Sequence, residues 1–478
     1  MNHTYPALEL LVAGRHIGAG ERPGSDVVNP STGDVLGQVP HATPSDLDEA
    51  IAAATQGFEL WRRVSPVERG RVLRRAADGI RARRDYLAWL MTSEMGKPYA
   101  ETRRDVETAA EMFEWAAEEG RRSYGRVIPP RSPGARQLVT WEPVGPVAAF
   151  SGWNSAAITP ARKLSGALGA GCSIVIKPSE EAPASALLIA EALESAGLPA
   201  GVLNVVFGNP AAISERLVGS DDIRHVTFTG STAVGKHLAA LGARSLKRMV
   251  MELGGHAPVV IFGDVDPEEV ATAAVAAKLK NSGQICTSPT RFYVHESIHD
   301  RFVARFVEVA RSWRVGDPFD VRTQMGPLAN VRRLEALEAM TADARRLGVS
   351  IPIGGERIGS RGFFWQPTVL ANADPRCLAA NVEPFGPLAL TMPFATFDEA
   401  VAASNRLPFG LAAYAFTRDA RIANAIGDAL ESGNVAVNHW SVSLPETPFG
   451  GMKDSGFGSE GGVEGLQAFQ RLKYVSQV

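Results

Sequence analysis

Three side chains stand in settings that simple packing does not explain. Cys286 lies in Asn281-Ser282-Gly283-Gln284-Ile285-Cys286-Thr287. A polar turn with a glycine is an unusual lead into a core strand. A lone cysteine is commonly a small buried hydrophobe. Small polar neighbours instead leave room for a substrate, and a helix start there would lower the thiol pKa. Glu252 ends the apolar run Met249-Val250-Met251 and is followed by Leu253-Gly254-Gly255. A carboxylate in that place is either paired or functional. The glycines let backbone approach a ligand, and desolvation would raise the Glu252 pKa toward that of a general base. Asn154, in Ser151-Gly152-Trp153-Asn154, follows an apolar run ending at Phe150. Its amide can donate to a developing oxyanion without adding charge. A plain turn asparagine is the alternative.

Two further segments could hold a nucleotide. Phe228-Thr229-Gly230-Ser231-Thr232-Ala233-Val234-Gly235 sits between a strand pattern and a helix pattern. Gly230 allows a tight turn, Ser231 can cap the helix or touch a phosphate, and Gly235 allows close packing. A helix N-terminus attracts phosphate, although this is not the usual G-x-G-x-x-G and Gly-Ser turns also occur without ligands. Lys177-Pro178-Ser179-Glu180 follows another apolar run. Lys177 and Glu180 could bracket a ribose, and the carboxylate would repel a 2′-phosphate. A charged surface loop would look the same.

The elements that must position these residues are legible from about Pro143 onward. Val147–Phe150, Ser173–Ile176, Leu203–Phe207 and His225–Thr229 are short apolar runs separated by helical patterns, one with the stripe Ile158, Ala161, Leu164 and Leu168. That alternation predicts a parallel sheet covered on both faces, which binds nucleotides at the carboxyl ends of its strands. Pro258–Phe262 and Arg291–Val294 begin a second α/β unit. The first quarter reads as helical after a short hairpin. Thr43-Pro44-Ser45-Asp46 and Ser65-Pro66-Val67-Glu68 are marked helix starts, and the second helix, through Leu73 and Ile80, has an Arg-rich outer face read as solvated.

Composition narrows the function classes. At about 150 residues per domain, the chain makes roughly three domains, or two with insertions. Apolar residues are 45% and charged residues 21% of 478, an ordinary globular balance that excludes disorder. The net charge of −3 argues against nucleic acid or a membrane surface as partner. Cys172, Cys286 and Cys377 are too few for a disulfide framework and fit a reducing cytoplasm. No run reaches the ~18 apolar residues of a membrane helix. The opening MNHTYPALELLVAGRH has no basic n-region and carries Glu9 in its apolar run, unlike a signal peptide. No residue is assigned to a metal.

In order and context these motifs resemble the aldehyde dehydrogenase superfamily over nearly the whole chain. The resemblance runs from Asn29-Pro30-Ser31-Thr32-Gly33, through Met325-Gly326-Pro327-Leu328 and Glu383-Pro384-Phe385-Gly386-Pro387, to Pro448-Phe449-Gly450-Gly451-Met452-Lys453-Asp454-Ser455-Gly456. It implies an α/β fold with a Rossmann-type cofactor domain (1–124 and 143–251), an α/β catalytic domain (252–441) and a β oligomerisation arm (125–142 and 460–478). It implies Cys286 as nucleophile, Asn154 with the Cys286 N–H as oxyanion donors, and Glu252 as the base that hydrolyses the thioester. Glu383 would hold the nicotinamide ribose, and Phe385 would pack near the nicotinamide. Lys177, Ser179 and Glu180 would form the adenosine-ribose region. Trp153, Phe228, Gly230, Ser231, Gly235 and Leu253 would belong to the rest of the cofactor site. Glu180 favours NAD, while Lys177 keeps NADP open. A homodimer or homotetramer is expected.

The tail Pro445–Gly462, with Leu253–Pro258 and Ser288–Phe292, is similar to the succinate-semialdehyde and 2-oxoglutarate-semialdehyde branch. Arg162, eight residues after Asn154, matches an arginine that holds the substrate's far carboxylate there, a task suited to its fork. A helix-surface charge beside Lys163 is the alternative. Ser443 stands where apolar-substrate relatives carry an aromatic. Three departures bear on the pocket. Gly152-Trp153-Asn154-Ser155-Ala156 replaces Pro-Trp-Asn-Phe-Pro, so Ser155 opens space or lets the loop collapse. Lys280 replaces a frequent arginine with a point charge. Residue 288 is Ser, so Cys286 has no vicinal cysteine partner. The expected substrate is an aldehyde bulkier than succinate semialdehyde with a distant polar or anionic end. Alternatives are uncharged aldehydes and an acylating enzyme that passes the thioester to coenzyme A or phosphate. Glu252 disfavours the acylating reading. The absence of a G-x-S-x-G elbow disfavours an esterase. Asn154, Glu252 and Cys286 together disfavour a non-catalytic role.

Overall fold

The computed structural model describes residues 3–20 and 22–478. Five short apolar runs form its first sheet. By first residue their hydrogen-bonded order is Leu203, Ile174, Val147, His225, Arg248, and every neighbouring pair is parallel. Helices cover both faces, so these strands are apolar on both sides rather than alternating. The chain enters at Val147–Phe150, builds outward to Leu203–Val205, then crosses to His225–Thr229. The order therefore reverses between the Val147 and His225 strands, and a crevice opens at their carboxyl ends. Residues 151–154 leave one side of it, and Gly230-Ser231 leave the other.

Antiparallel additions close both edges of this sheet. The Leu10–Val12 and Arg15–Ile17 hairpin pairs with the Leu203 strand. At the other edge Gly456–Phe457 pairs with Met251 and Glu252.

The expected helix starts are formed by side-chain caps. The Asp46 backbone N–H donates to Thr43 Oγ1 at 3.2 Å, and the Thr43 N–H donates to the Asp46 carboxylate at 2.7 Å, a reciprocal capping box. The Glu68 N–H donates to Ser65 Oγ. Leu47, Ile51, Leu73 and Ile80 bury their side chains in the core of the first sheet. The Tyr99–Glu119 helix packs across Pro66–Ala82 and Ile158–Ala170, burying Val106, Ala110 and Phe113.

A seven-stranded second sheet runs Ser350, Thr368, Leu388, Pro289, Ala257, Ala412, Asn434 by first residue. Its first pair is antiparallel and the rest are parallel. Leu253–His256, Gln284–Ser288 and Glu383–Pro387 lead directly into the Ala257, Pro289 and Leu388 strands. The second sheet thus brings its amino-terminal edge to the carboxyl-end crevice of the first.

Arg126–Ile128, Arg136–Pro143 and Gln470–Gln477 form a separate three-stranded antiparallel sheet. The Gln470–Gln477 strand is exposed from Arg471 onward. Residues 460–469, expected with this arm, sit elsewhere. Gly462–Ala468 is a helix against Ile158–Ala170, and Leu466 and Phe469 are buried in the first core. Among the described residues no helix is long and apolar enough to cross a membrane.

Gly456 has φ +122°, and a Cβ there would lie 1.7 Å from the Met251 carbonyl oxygen. Gly456→Ala is expected to force its strand off Glu252, at a cost of about 2–3 kcal/mol, read as a fall of several degrees in Tm. Gly427, in the Ala420–Ala429 helix with nothing within 4 Å of a Cβ, is the control. Gly427→Ala should leave Tm unchanged or raise it, by up to ~1 kcal/mol of helix propensity.

Candidate active site

A cavity of about 1080 Å³ runs along the seam between the two sheets. Cys286, Glu252 and Asn154 all line it.

The cysteine is carried by an unusual turn. After the Pro267–Leu279 helix, Asn281, Ser282 and Gly283 take φ values of 49°, 54° and 71° in succession. Two consecutive non-glycine residues in the left-handed region are strained. Bonds from several directions hold them there. The Asn281 N–H donates to Glu101 Oε2 at 3.1 Å, and its amide donates to the Asn154 carbonyl at 3.0 Å. Ser282 Oγ donates to the Gly326 carbonyl at 2.9 Å. The Ala329 N–H donates to Gln284 Oε1 at 2.9 Å. A Cβ at Gly283 would come 2.1 Å from the Gly386 carbonyl oxygen. The motifs around Gly326 and Gly386 are therefore the walls of this turn.

Cys286 is not at a helix start, contrary to the expectation from sequence, and its thiol is not acidified. Burial first, then the nearby carboxylates Glu383 and Glu252, push it up to about 12. Asn154 is oriented by the same turn. Its Nδ2 donates to the Gln284 carbonyl at 3.1 Å, which leaves the other N–H for a substrate oxygen.

Glu252 is buried at the end of its strand. Neither carboxylate oxygen has a hydrogen-bond partner among the described residues. Burial, then the charge of Glu460, raises its pKa well above the usual carboxylate range, against the pull of Lys163 and Arg162. Sequence reasoning missed Glu460 and Lys163. Lys163 is fully buried, 2.5 Å from Glu460, and also donates to Thr227 Oγ1 at 3.0 Å. A signal existed: Lys163 shares a helix face with Pro160, Ala167 and Ala170, all buried. Glu460, amid glycines, carried none.

Arg162 is not a plain surface charge. Its Nη2 donates to Ser443 Oγ, and its guanidinium sits 4.4 Å from the Phe449 ring centroid, a cation–π geometry. Ser155 and Lys280 also line this half of the cavity. Trp440 forms its aromatic wall, packed on Tyr414 and Phe416 at 5.4 and 4.5 Å between centroids.

The other half can hold a dinucleotide. Ser231 occupies the N-cap of the Thr232–Ala243 helix but makes no side-chain capping bond. Its hydroxyl and the first helical N–H groups are left for an anion. Trp153 and Phe385 meet edge-on at 5.5 Å and 90°. Glu383 is half-buried, and desolvation pushes it up to about 8 despite a hydrogen bond from the Gly255 N–H. A Cβ at Gly254 would come 2.8 Å from Glu383 Oε2. This donor set fits a nicotinamide dinucleotide.

Five of the expected cofactor residues do not line the cavity: Lys177, Ser179, Glu180, Phe228 and Gly235. Phe228 backs Gly230, whose Cβ would lie 2.4 Å from its ring, and Gly235 gives Leu253 room to pack. Leu253 and Gly230 do line it. Lys177 and Glu180 form an ion pair at 2.6 Å. Glu180 also accepts from the Gly208 N–H at 3.0 Å, so protein donors already engage its carboxylate. Ser179 Oγ donates to Glu181 at 2.8 Å. Lys177 ends the Ile174–Lys177 strand, and Ser179 and Glu180 lie just past it, next to the crevice.

The Glu383 charge opposes the Cys286 thiolate, and Glu383 ionises near 8. Glu383→Gln should therefore speed alkylation of Cys286 by iodoacetamide several-fold at pH 9 and much less at pH 6.5. Peptide mapping by mass spectrometry would read it, with buried Cys172 and Cys377 as internal references.

The comparisons with known proteins agree with this geometry. Residues 18–475 match the model of the "Aldehyde dehydrogenase family". The chain is 44% identical to a putative 4-(hydroxymethyl)benzenesulfonate dehydrogenase of Comamonas testosteroni, covering 99% of each. It is 37% identical to the NADP(+) succinate-semialdehyde dehydrogenase of Escherichia coli, covering 98% of this chain and 97% of that one. The crystal structure of succinate-semialdehyde dehydrogenase from Burkholderia pseudomallei superposes with a TM-score of 0.96 at 39% identity, over 98% of both chains. With a family match over nearly its whole length and a thiol, a buried carboxylate and a dinucleotide-sized cleft on one seam, the chain belongs to the aldehyde dehydrogenase family of oxidoreductases.

Proposed function

We propose that this enzyme oxidises an aldehyde with a distant anionic group to the carboxylic acid, using NAD, with NADP as the alternative acceptor. The observation that carries the reading is the convergence of Cys286, the Asn154 amide and an unpartnered, buried Glu252 on one pocket wall. Cys286 Sγ bonds to the aldehyde carbon as its proton leaves. That proton passes to solvent, so Glu252 is still free to act as the base of the second step. The oxyanion is met by Asn154 Nδ2 and the Cys286 N–H. When bound, the nicotinamide supplies the hydride acceptor. The product on Cys286 is a thioester. Glu252 then draws a proton from water, whose oxygen attacks the thioester carbon, and the acid leaves as the thiol reforms. Trp153, Ser231, Glu383 and Phe385 hold the cofactor, with Lys177, Ser179 and Glu180 beside them. A hydrolytic base suits water as acceptor better than coenzyme A.

Arg162, Ser443 and Lys280 support an anionic substrate, and Ser155 leaves it width. The relatives are named for a benzenesulfonate and for succinate semialdehyde, and both molecules carry an anion. The exposed Gln470–Gln477 edge supports assembly into a dimer or tetramer. Three free thiols suit a reducing cytoplasm.

An aldehyde panel followed at 340 nm with NAD and NADP tests the reading directly. Cys286→Ala should abolish turnover. Glu252→Gln should give a single-turnover burst and then stall, with steady-state rates down ~10²–10³-fold; retained steady-state turnover would remove Glu252 from the mechanism. Arg162→Ala should raise KM for semialdehydes by roughly 10-fold or more and spare uncharged aldehydes. Better kcat/KM on uncharged aldehydes, with no loss in Arg162→Ala, would sink the anionic end.

A further inference from the structure

The Tyr99–Glu119 helix turns a polar stripe toward the pocket. Arg104, Asp105 and Thr108 on it, and Lys97 just before it, line the cavity. Asp105 and Lys97 neutralise each other as a buried pair at 2.5 Å. Arg103, one residue earlier, is paired with Asp85 at 2.9 Å. Arg104 is exposed, and no hydrogen bond or ion pair to it is formed among the described residues. The other pocket arginines are engaged: Arg162 on Ser443, Arg332 on Glu181, and Arg333 near Glu383 and Glu181.

The cavity lining holds a further cation, Lys280. Glu101, one helical turn before Arg104, accepts from the Asn281 N–H and feels the charge of Lys280. Lys280 and Arg104 both line the cavity. Arg162 lies deeper, close enough for its charge to act on both Glu252 and Cys286. An anion on Arg162 belongs to a short substrate. Tyr414, which donates to the Thr287 carbonyl beside Cys286 at 2.8 Å, and Trp440 packed on it at 43° give the cavity an aromatic wall.

We propose that Arg104 is a specificity-determining residue: it receives the anion of a flat aryl aldehyde, an arenesulfonate or arenecarboxylate, whose ring lies along the Trp440 wall. The proposal rests on the aldehyde-oxidation reading and names its substrate class. Wild type, Arg104→Ala and Arg104→Lys would be compared on 4-formylbenzenesulfonate, 4-formylbenzoate, succinate semialdehyde and benzaldehyde. Loss of a charge-assisted contact should raise KM about 10-fold for the two aryl anions in Arg104→Ala, with kcat within about twofold. The other two substrates should change little. Arg104→Lys should recover part of the loss, and the effect should shrink at high salt. A sulfonate-only loss would assign the site to sulfonates, and a carboxylate-only loss to carboxylates. An equal change on all four substrates, or none, would overturn the proposal. Calorimetric binding of 4-sulfobenzoate reads the same residue without turnover. Its Kd should rise about 10-fold in Arg104→Ala, and an unchanged Kd would overturn the role of Arg104. If wild type oxidised no aldehyde, the oxidation reading would fail, while the calorimetry would still decide Arg104.

Discussion

Lys163 and Glu460 bury an ion pair beneath the first sheet, and Glu252 lies within reach of both charges. A buried pair of this kind contributes little net stability, but loss of either partner leaves an uncompensated charge. Its consequence here is electrostatic. Glu460 and desolvation hold Glu252 toward its neutral form, while Lys163 and Arg162 keep its ionisation within reach. A free carboxylate would be too weak a base, and an isolated buried one would stay protonated. Glu252 sits between these limits because Glu460 opposes Lys163 and Arg162 around it.

The same desolvation acts on Cys286 and Glu383, so the acidic groups along the seam are all shifted toward their neutral forms. That requires precise placement, because a misplaced neutral group gains nothing from burial. The placement comes from the left-handed turn at Asn281–Gly283. Its bonds reach the Tyr99–Glu119 helix through Glu101, the first crevice loop through Asn154, and the Gly326 and Ala329 backbone. The turn thereby locks elements distant in sequence to one another at the point where the thiol emerges.

Much of this was legible in the sequence. The parallel strands around Val147, Ile174 and His225 announced themselves as short apolar runs, and the caps at Thr43 and Ser65 marked helix starts. Cys286, Glu252 and Asn154 stood out because each interrupts a packing pattern. The rest was hidden for identifiable reasons. Thiol acidity depends on what surrounds Cys286, and local sequence pointed the wrong way. Lys163 looked like part of a charged pair with Arg162, whereas helix packing sends the two in different directions. Glu460 and Arg104 reach the site only through tertiary contacts, and no local periodicity reports those. Residues 460–469 were assigned to the arm because the sequence does not show where a connecting helix docks.

The antiparallel pairing of Gly456 with Glu252 has a consequence for synthesis. The edge of the first sheet at Glu252 is made roughly 200 residues before the strand that covers it. At typical elongation of about 5–20 residues per second, that edge stays open for some 10–40 s on the ribosome. During that interval the carboxylate is wet, and an exposed strand edge is free to pair with other nascent chains. The general base acquires its buried character only after the second sheet has been made, so the reaction centre matures late in translation and a chain that stalls before Gly456 leaves it unfinished.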